Sequence, residues 1–101
     1  MSVLAAIRAA LFGVRRTEGR RAAYEAHLRS DAWAELRRRA LARATGRCEW
    51  VTRTGNRCTC TKRLEVHHLH YRSFGHEALT DVQVLCQRHH AIADRRRRAA
   101  R

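Results

Sequence analysis

Apolar residues recur at three- and four-residue steps through the first half of the chain and at two-residue steps in parts of the second. Helices are therefore expected before about residue 46 and short strands after it. Val3, Leu4, Ile7 and Leu11 share one helical face, which predicts a short amphipathic helix over 2–12, with Ser2 as its cap and Gly13 as its end. After a basic turn, residues 20–28 predict a second short helix carrying Tyr24 and Leu28. Ser30-Asp31 is an N-cap signal for a third and clearest helix: Trp33, Leu36, Ala40 and Leu41 line one face, Arg37, Arg38, Arg39 and Arg43 the others, and Gly46 ends it.

Beyond Gly46 the pattern changes. Residues 48–60 are polar and turn-rich, and Thr54-Gly55-Asn56 predicts a hairpin bend between two short arms. Leu64–His68 and Val82–Leu85 predict two short strands separated by a loop that includes Ser73-Phe74-Gly75. Cys86 opens a last helix that runs into Arg95–Arg98. The order helices, hairpin, strand, loop, strand, helix predicts an α+β fold. The expected divisions are an N-terminal helical extension over 1–30, a working domain over 31–94 and a basic tail over 95–101.

Composition adds a constraint. Of 101 residues 17 are Ala and only six are aromatic, so large apolar side chains are scarce for a core that is small in any case. Four Cys and seven His supply the compensation, because metal ligation contributes folding free energy that packing lacks here. Cys86 and His89, two residues apart at a helix start, converge on one tetrahedral ion. Cys48 and either Cys58 or Cys60, with Cys58 preferred, arrive from the two hairpin arms. Such a closed four-ligand set predicts a structural zinc ion, which leaves no position for a reacting water. Metal binding is the expected use of these cysteines, in preference to disulfides, in a reducing cytoplasm.

The formal net charge is +13. A polyanionic partner is expected from it, nucleic acid ahead of an anionic membrane, because each neutralised phosphate releases counterions. All but Lys62 of the 22 basic residues are Arg, which suits bidentate phosphate contacts. Gene base composition accounts equally well for Arg over Lys, but it does not remove the charge. No stretch has the roughly 18–20 apolar residues of a membrane span.

One set of residues goes further. Leu64-Glu65-Val66-His67-His68, Tyr71, Gly75-His76-Glu77, Leu79-Thr80-Asp81-Val82, Leu85-Cys86 and His89-His90 resemble the signature of HNH endonucleases, particularly small phage and bacterial ones. Tyr24, Leu28, Ser30, Trp33 and Arg37 resemble the approach segment of that group, so the resemblance covers roughly residues 24–94. It implies a ββα-metal, or His-Me, finger with N-terminal helices and a zinc-stapled hairpin. It further implies that His68 is the general base and that His67 and His90 ligate a catalytic Mg²⁺ or Mn²⁺. Asp81, standing where the family motif has Asn, would orient the loop that carries the base. His89 occupies a position usually held by a last zinc cysteine, and three thiolates with one imidazole remain a sound set.

The activity implied is metal-dependent hydrolysis of phosphodiester bonds in DNA, RNA not excluded, leaving 5′-phosphate and 3′-hydroxyl ends with weak sequence preference. Arg72 and Arg95, Arg96, Arg97 and Arg98 are the expected backbone contacts. His70 and His27 are expected to face solvent, His76 to approach the site, and Glu77 to be either a loop-fixing acceptor or a surface charge. The expected setting is the cytoplasm of a bacterial or phage-infected cell, with a homodimer or a terminase partner as options. The rival functions are a non-catalytic zinc-stabilised DNA-binding module and a phage packaging factor active only beside a terminase.

Overall fold

The structure is a computed structural model that describes residues 13–100. The helix expected over 2–12, its Ser2 cap and Arg101 at the end of the basic tail lie outside the described residues. Among the described residues there are three α-helices, one 3-10 turn and one two-stranded sheet, so the chain is α+β. In chain order these are α1 (Gly13–Leu28), α2 (Asp31–Arg43), β1 (Leu64–His68), the 3-10 turn Leu79–Asp81, β2 (Val82–Cys86) and α3 (Gln87–Ala99). No helix among them is long and apolar enough to cross a membrane. The chain divides inside α2 into two compact units, residues up to Ala34 and residues from Glu35 onward.

In the first unit, α1 corrects the expected turn and short second helix, because residues 13–28 are continuous helix. Arg, Glu and Ala are good helix formers, and a single Gly costs only about 1 kcal/mol, too little to break the run at Gly19. Ser30 then caps α2 as expected: its Oγ accepts the Trp33 N–H at 3.1 Å and donates to the His27 carbonyl. His27 is half-buried against the Trp33 ring, 5.6 Å between centroids, instead of facing solvent.

In the second unit, Leu36, Ala40 and Ala44 are buried at four-residue steps, whereas Leu41 is only half-buried. The helix closes with Thr45 and Gly46 at φ of 55° and 67°, and the Gly46 N–H reaches back to the Leu41 carbonyl at 3.0 Å. Positive φ there is what makes Gly46 a stop signal. The hairpin bend sits where the sequence predicts it, with Val51 opposite Arg57 and Gly55 at φ 85°. Arg57 binds the end of this region together: its guanidinium donates to the carbonyls of Ala44, Arg47 and Cys48.

Strands β1 and β2 are antiparallel neighbours, with Glu65 opposite Leu85, His67 opposite Gln83 and His68 opposite Val82. Directly opposed residues share a face and successive ones alternate. Glu65, His67 and Leu85 thus lie on one face, and Val66, His68, Val82 and Val84 on the other. Helix α3 packs on the sheet, and Ala93 joins Trp50, Leu64 and the buried Cys48, Leu85 and Cys86 in a small core. The basic segment 95–98 is the last part of α3 rather than a tail after it.

Candidate functional site

Among the described residues there are two clusters of metal-ligating side chains. In the first, one ligand atom each from Cys48, Cys58, Cys86 and His89 lies within 4.8 Å of all the others. Cys48 follows the end of α2, Cys58 comes from the return arm of the hairpin, and Cys86 and His89 stand at the start of α3. His89 Nδ1 is 3.6 Å from Cys48 Sγ and 3.3 Å from Cys86 Sγ. A tetrahedral ion holding sulfur at about 2.3 Å and nitrogen at about 2.0 Å sets those atoms about 3.5 Å apart, so the donors fit a zinc-sized ion.

Cys58 rather than Cys60 completes the set. Cys60 lies across the hairpin from Cys48, whose N–H bonds the Cys60 carbonyl, but its thiol turns to the Lys62 carbonyl. The Cys60 N–H instead donates to Cys58 Sγ at 3.5 Å, and this bond holds the Cys58 thiol below its usual range against the opposing effect of burial. Burial pushes the Cys86 thiol up to about 11; the His89 backbone bond opposes the rise, and the Cys48 and Cys58 sulfurs add to it. Packed thiols of this kind ionise readily only with a cation among them. Burial, with a smaller contribution from Arg88, lowers the His89 imidazole and keeps it a neutral donor. Trp50 stacks on that ring at 4.9 Å and 2°, and Arg96 lies over Trp50.

The second cluster joins His67 of β1 to His90 and Asp94 of α3, again with ligand atoms within 4.8 Å of one another. The His67 and His90 rings are 5.0 Å apart, and His67 Nδ1 is 4.0 Å from Asp94 Oδ1. Burial, then the neighbouring His90 and Arg97 charges, pushes the His67 imidazole down to about 4. A neutral buried imidazole is the form that ligates a cation. His90 Nδ1 bonds the Glu65 carboxylate, which leaves Nε2 as its ligating atom. Arg97 grips Asp94 Oδ1 at 2.7 Å and the His68 carbonyl at 3.1 Å.

Sequence reasoning missed Asp94 and Glu65, although both carry a signal. Asp94 is four residues after His90 on a helix, hence on the same face, and Glu65 is two before His67 on a strand, hence on the same side.

His68 takes the opposite face from His67, as strand alternation requires, even though β1 ends there. Its Nε2 is 2.6 Å from Glu77 Oε2, and the two side chains are only 3% and 2% exposed. Tyr71 and Phe74 flank the ring at 5.1 and 5.8 Å. Glu77 is therefore an internal acceptor and not a surface charge.

Asp81 fixes the loop between the strands. Its carboxylate accepts from the Ala78 N–H at 2.8 Å, Ser73 Oγ at 2.8 Å and His70 at 3.1 Å. The Ala78 bond is the first cause, and Ser73 the next, of a carboxyl held below its usual range. His70 is thus half-buried and bonded rather than solvent-facing, and His76, expected near the site, is exposed.

Of the expected phosphate contacts, Arg72, Arg95 and Arg98 are exposed. Arg97 is engaged by the His68 carbonyl and Asp94, and Arg96 leans on Trp50. A network unread in the sequence ties α2 to β2: Arg43 bonds both Glu49 carboxylate oxygens and the Leu79 and Val82 carbonyls, while Glu49 accepts the Val84 N–H. Burial works against ionising Glu49, but the Arg43 and Val84 bonds together hold its carboxyl low.

No family model, curated protein or solved structure matches the chain.

Proposed function

We propose that this chain is a metal-dependent HNH endonuclease with a ββα-metal finger, acting on DNA. The observation that carries the reading is the meeting of His67, His90 and Asp94 across the sheet and α3, with His68 at the adjoining strand position. His67, His90 and Asp94 would hold a divalent ion, Mg²⁺ or Mn²⁺, for which a mixed nitrogen and carboxylate set is suitable. When bound, that ion supplies charge neutralisation at the scissile phosphate and help for the departing oxygen.

The protein residues do the rest. His68 takes the proton of the water that attacks phosphorus. Asp81 holds the loop that adjoins it, and Glu65 orients His90. Arg72, Arg95 and Arg98 meet the phosphate backbone without reading bases. Cys48, Cys58, Cys86 and His89 bind zinc as a staple, separate from the chemistry.

The test is a supercoiled-plasmid assay of the wild type and His68→Ala with Mg²⁺, Mn²⁺, Zn²⁺ or chelator, alongside a zinc count. Nicking or linearisation that needs Mg²⁺ or Mn²⁺ and vanishes in His68→Ala, while DNA binding persists, is the expected result. Full cleavage by His68→Ala removes the base assignment. One observation favours a second reading, a zinc-stabilised DNA-binding module without activity: the His68 side chain is 3% exposed. Salt-sensitive DNA binding with no cleavage under any divalent ion would establish that module.

A further inference from the structure

The buried contact between His68 and Glu77 carries an inference that rests on the nuclease reading and extends it. Glu77 comes from the loop between the strands, where Gly75, His76, Ala78 and Thr80 are all exposed. Its own side chain alone among these turns inward and is 2% exposed. Taking a carboxylate out of water costs several kcal/mol on the order of magnitude, unless a strong partner meets it. Here the partner is His68 Nε2 at 2.6 Å, a length typical of a strong charge-assisted bond.

The carboxylate accepts, so the imidazole nitrogen facing it must be the one that carries hydrogen. In the neutral ring the lone pair then resides on Nδ1. Tyr71 and Phe74 flank the His68 ring and restrict its rotation.

The geometry points to Glu77 as the positioning residue of His68. It locks the imidazole in the Nε2–H tautomer, which leaves Nδ1 as the nitrogen that would take the proton of the attacking water. The proton balance is simple: water loses H⁺ to Nδ1, and the ring becomes cationic. This is the logic by which a buried carboxylate supports a histidine base in unrelated hydrolases. Asp81 has a separate task, because its carboxylate is engaged by Ser73, His70 and the Ala78 N–H.

The experiment uses the zinc-loaded 101-residue chain with ¹⁵N-labelled histidine, the His68 signals being assigned by loss in His68→Asn. Long-range ¹H–¹⁵N correlation should give the Nε2–H tautomer in the wild type and in Glu77→Gln, whose amide oxygen still accepts, and a tautomer mixture in Glu77→Ala. In the plasmid assay with Mg²⁺, Glu77→Ala should lower kcat by about 100-fold or more with KM within about twofold, and Glu77→Gln should recover most of that loss, because its amide oxygen keeps the ring oriented. A wild-type ring protonated at Nδ1 or at both nitrogens overturns the inference, as does an unchanged tautomer in Glu77→Ala. So does a folded, zinc-loaded Glu77→Ala that cleaves within about threefold of wild type. If the wild type cleaves nothing, the nuclease reading fails, and the tautomer measurement still decides what Glu77 does to His68.

Discussion

At the scale of single residues, the behaviour of a histidine follows from its partner. His67 faces α3 and is held neutral, His68 faces a buried carboxylate, and His70 accepts the Arg72 N–H at Nδ1 while its Nε2 meets Asp81. His67 gives a pH dependence of known sign. Its imidazole protonates near 6.5 in the unfolded chain but only near 4 in the folded one, so the unfolded state binds more protons between those values. Stability from this residue is complete above about pH 6.5, falls as pH drops through the window, and is lost below about 4. The loss is on the order of 3 kcal/mol. Urea titrations at pH 7 and pH 4.5 should therefore show a smaller pH effect in His67→Gln than in wild type. An equal effect in both would refute the assignment.

Asp94 allows a second test at this scale. Asp94→Asn keeps the size of the side chain but removes the only carboxylate in the His67, His90 and Asp94 cluster. Mn²⁺ affinity at that cluster, followed by titration calorimetry on the zinc-loaded protein, should fall at least about 10-fold. Arg95→Ala, an exposed position one residue on, should leave that affinity unchanged.

At the scale of elements, most segments follow from local rules. The cap at Ser30, the stop at Gly46, the bend at Gly55 and strand β1 are where periodicity and turn chemistry place them, because each depends on a few adjacent residues. Helix α1 is the exception. Its Arg-rich stretch lacks apolar periodicity and reads as a turn, yet high helix propensity keeps it helical from Gly13 to Leu28. The long connection from α2 to β1 owes its order to arginine, which no local pattern announces. Arg57 satisfies three carbonyls at the end of α2, so Arg57→Ala should cost about 2–3 kcal/mol in urea unfolding, more than an exposed Arg53→Ala. A loss below about 0.5 kcal/mol would mean that water replaces the guanidinium without cost.

At the scale of the whole molecule, the proposed zinc site at Cys48, Cys58, Cys86 and His89 would staple the second unit. Its buried residues are few, and three of them, Cys48, Leu85 and Cys86, belong to that cluster or pack on it. Removing zinc with a strong chelator should therefore abolish the cooperative thermal transition of this unit, and restoring zinc should return it. Cys58→Ser should lose the zinc, whereas Cys60→Ser should keep it, since the Cys60 thiol turns away toward Lys62. Zinc retained by Cys58→Ser and lost by Cys60→Ser would reverse the ligand assignment. The charge of +13 reads differently at this scale too, because Arg43, Arg57 and Arg97 spend their guanidinium groups on internal partners.

The linear chain by itself determined the helices and strands of the second unit, the α+β class, and the four residues of the first cluster, with Cys58 chosen over Cys60. It also singled out His67, His68 and His90. These are matters of periodicity, turn chemistry and short ligand spacing, which act over a few residues. Only the tertiary structure decided which carboxylate meets which imidazole: Asp94 with His67 and His90, Glu65 with His90, Glu77 with His68, and Asp81 with His70. Those pairings depend on strand register, on where α3 crosses the sheet and on how the loop folds back. A charged side chain has no periodic signature, and its partner is chosen by whichever opposite charge the packed backbone brings within about 3 Å.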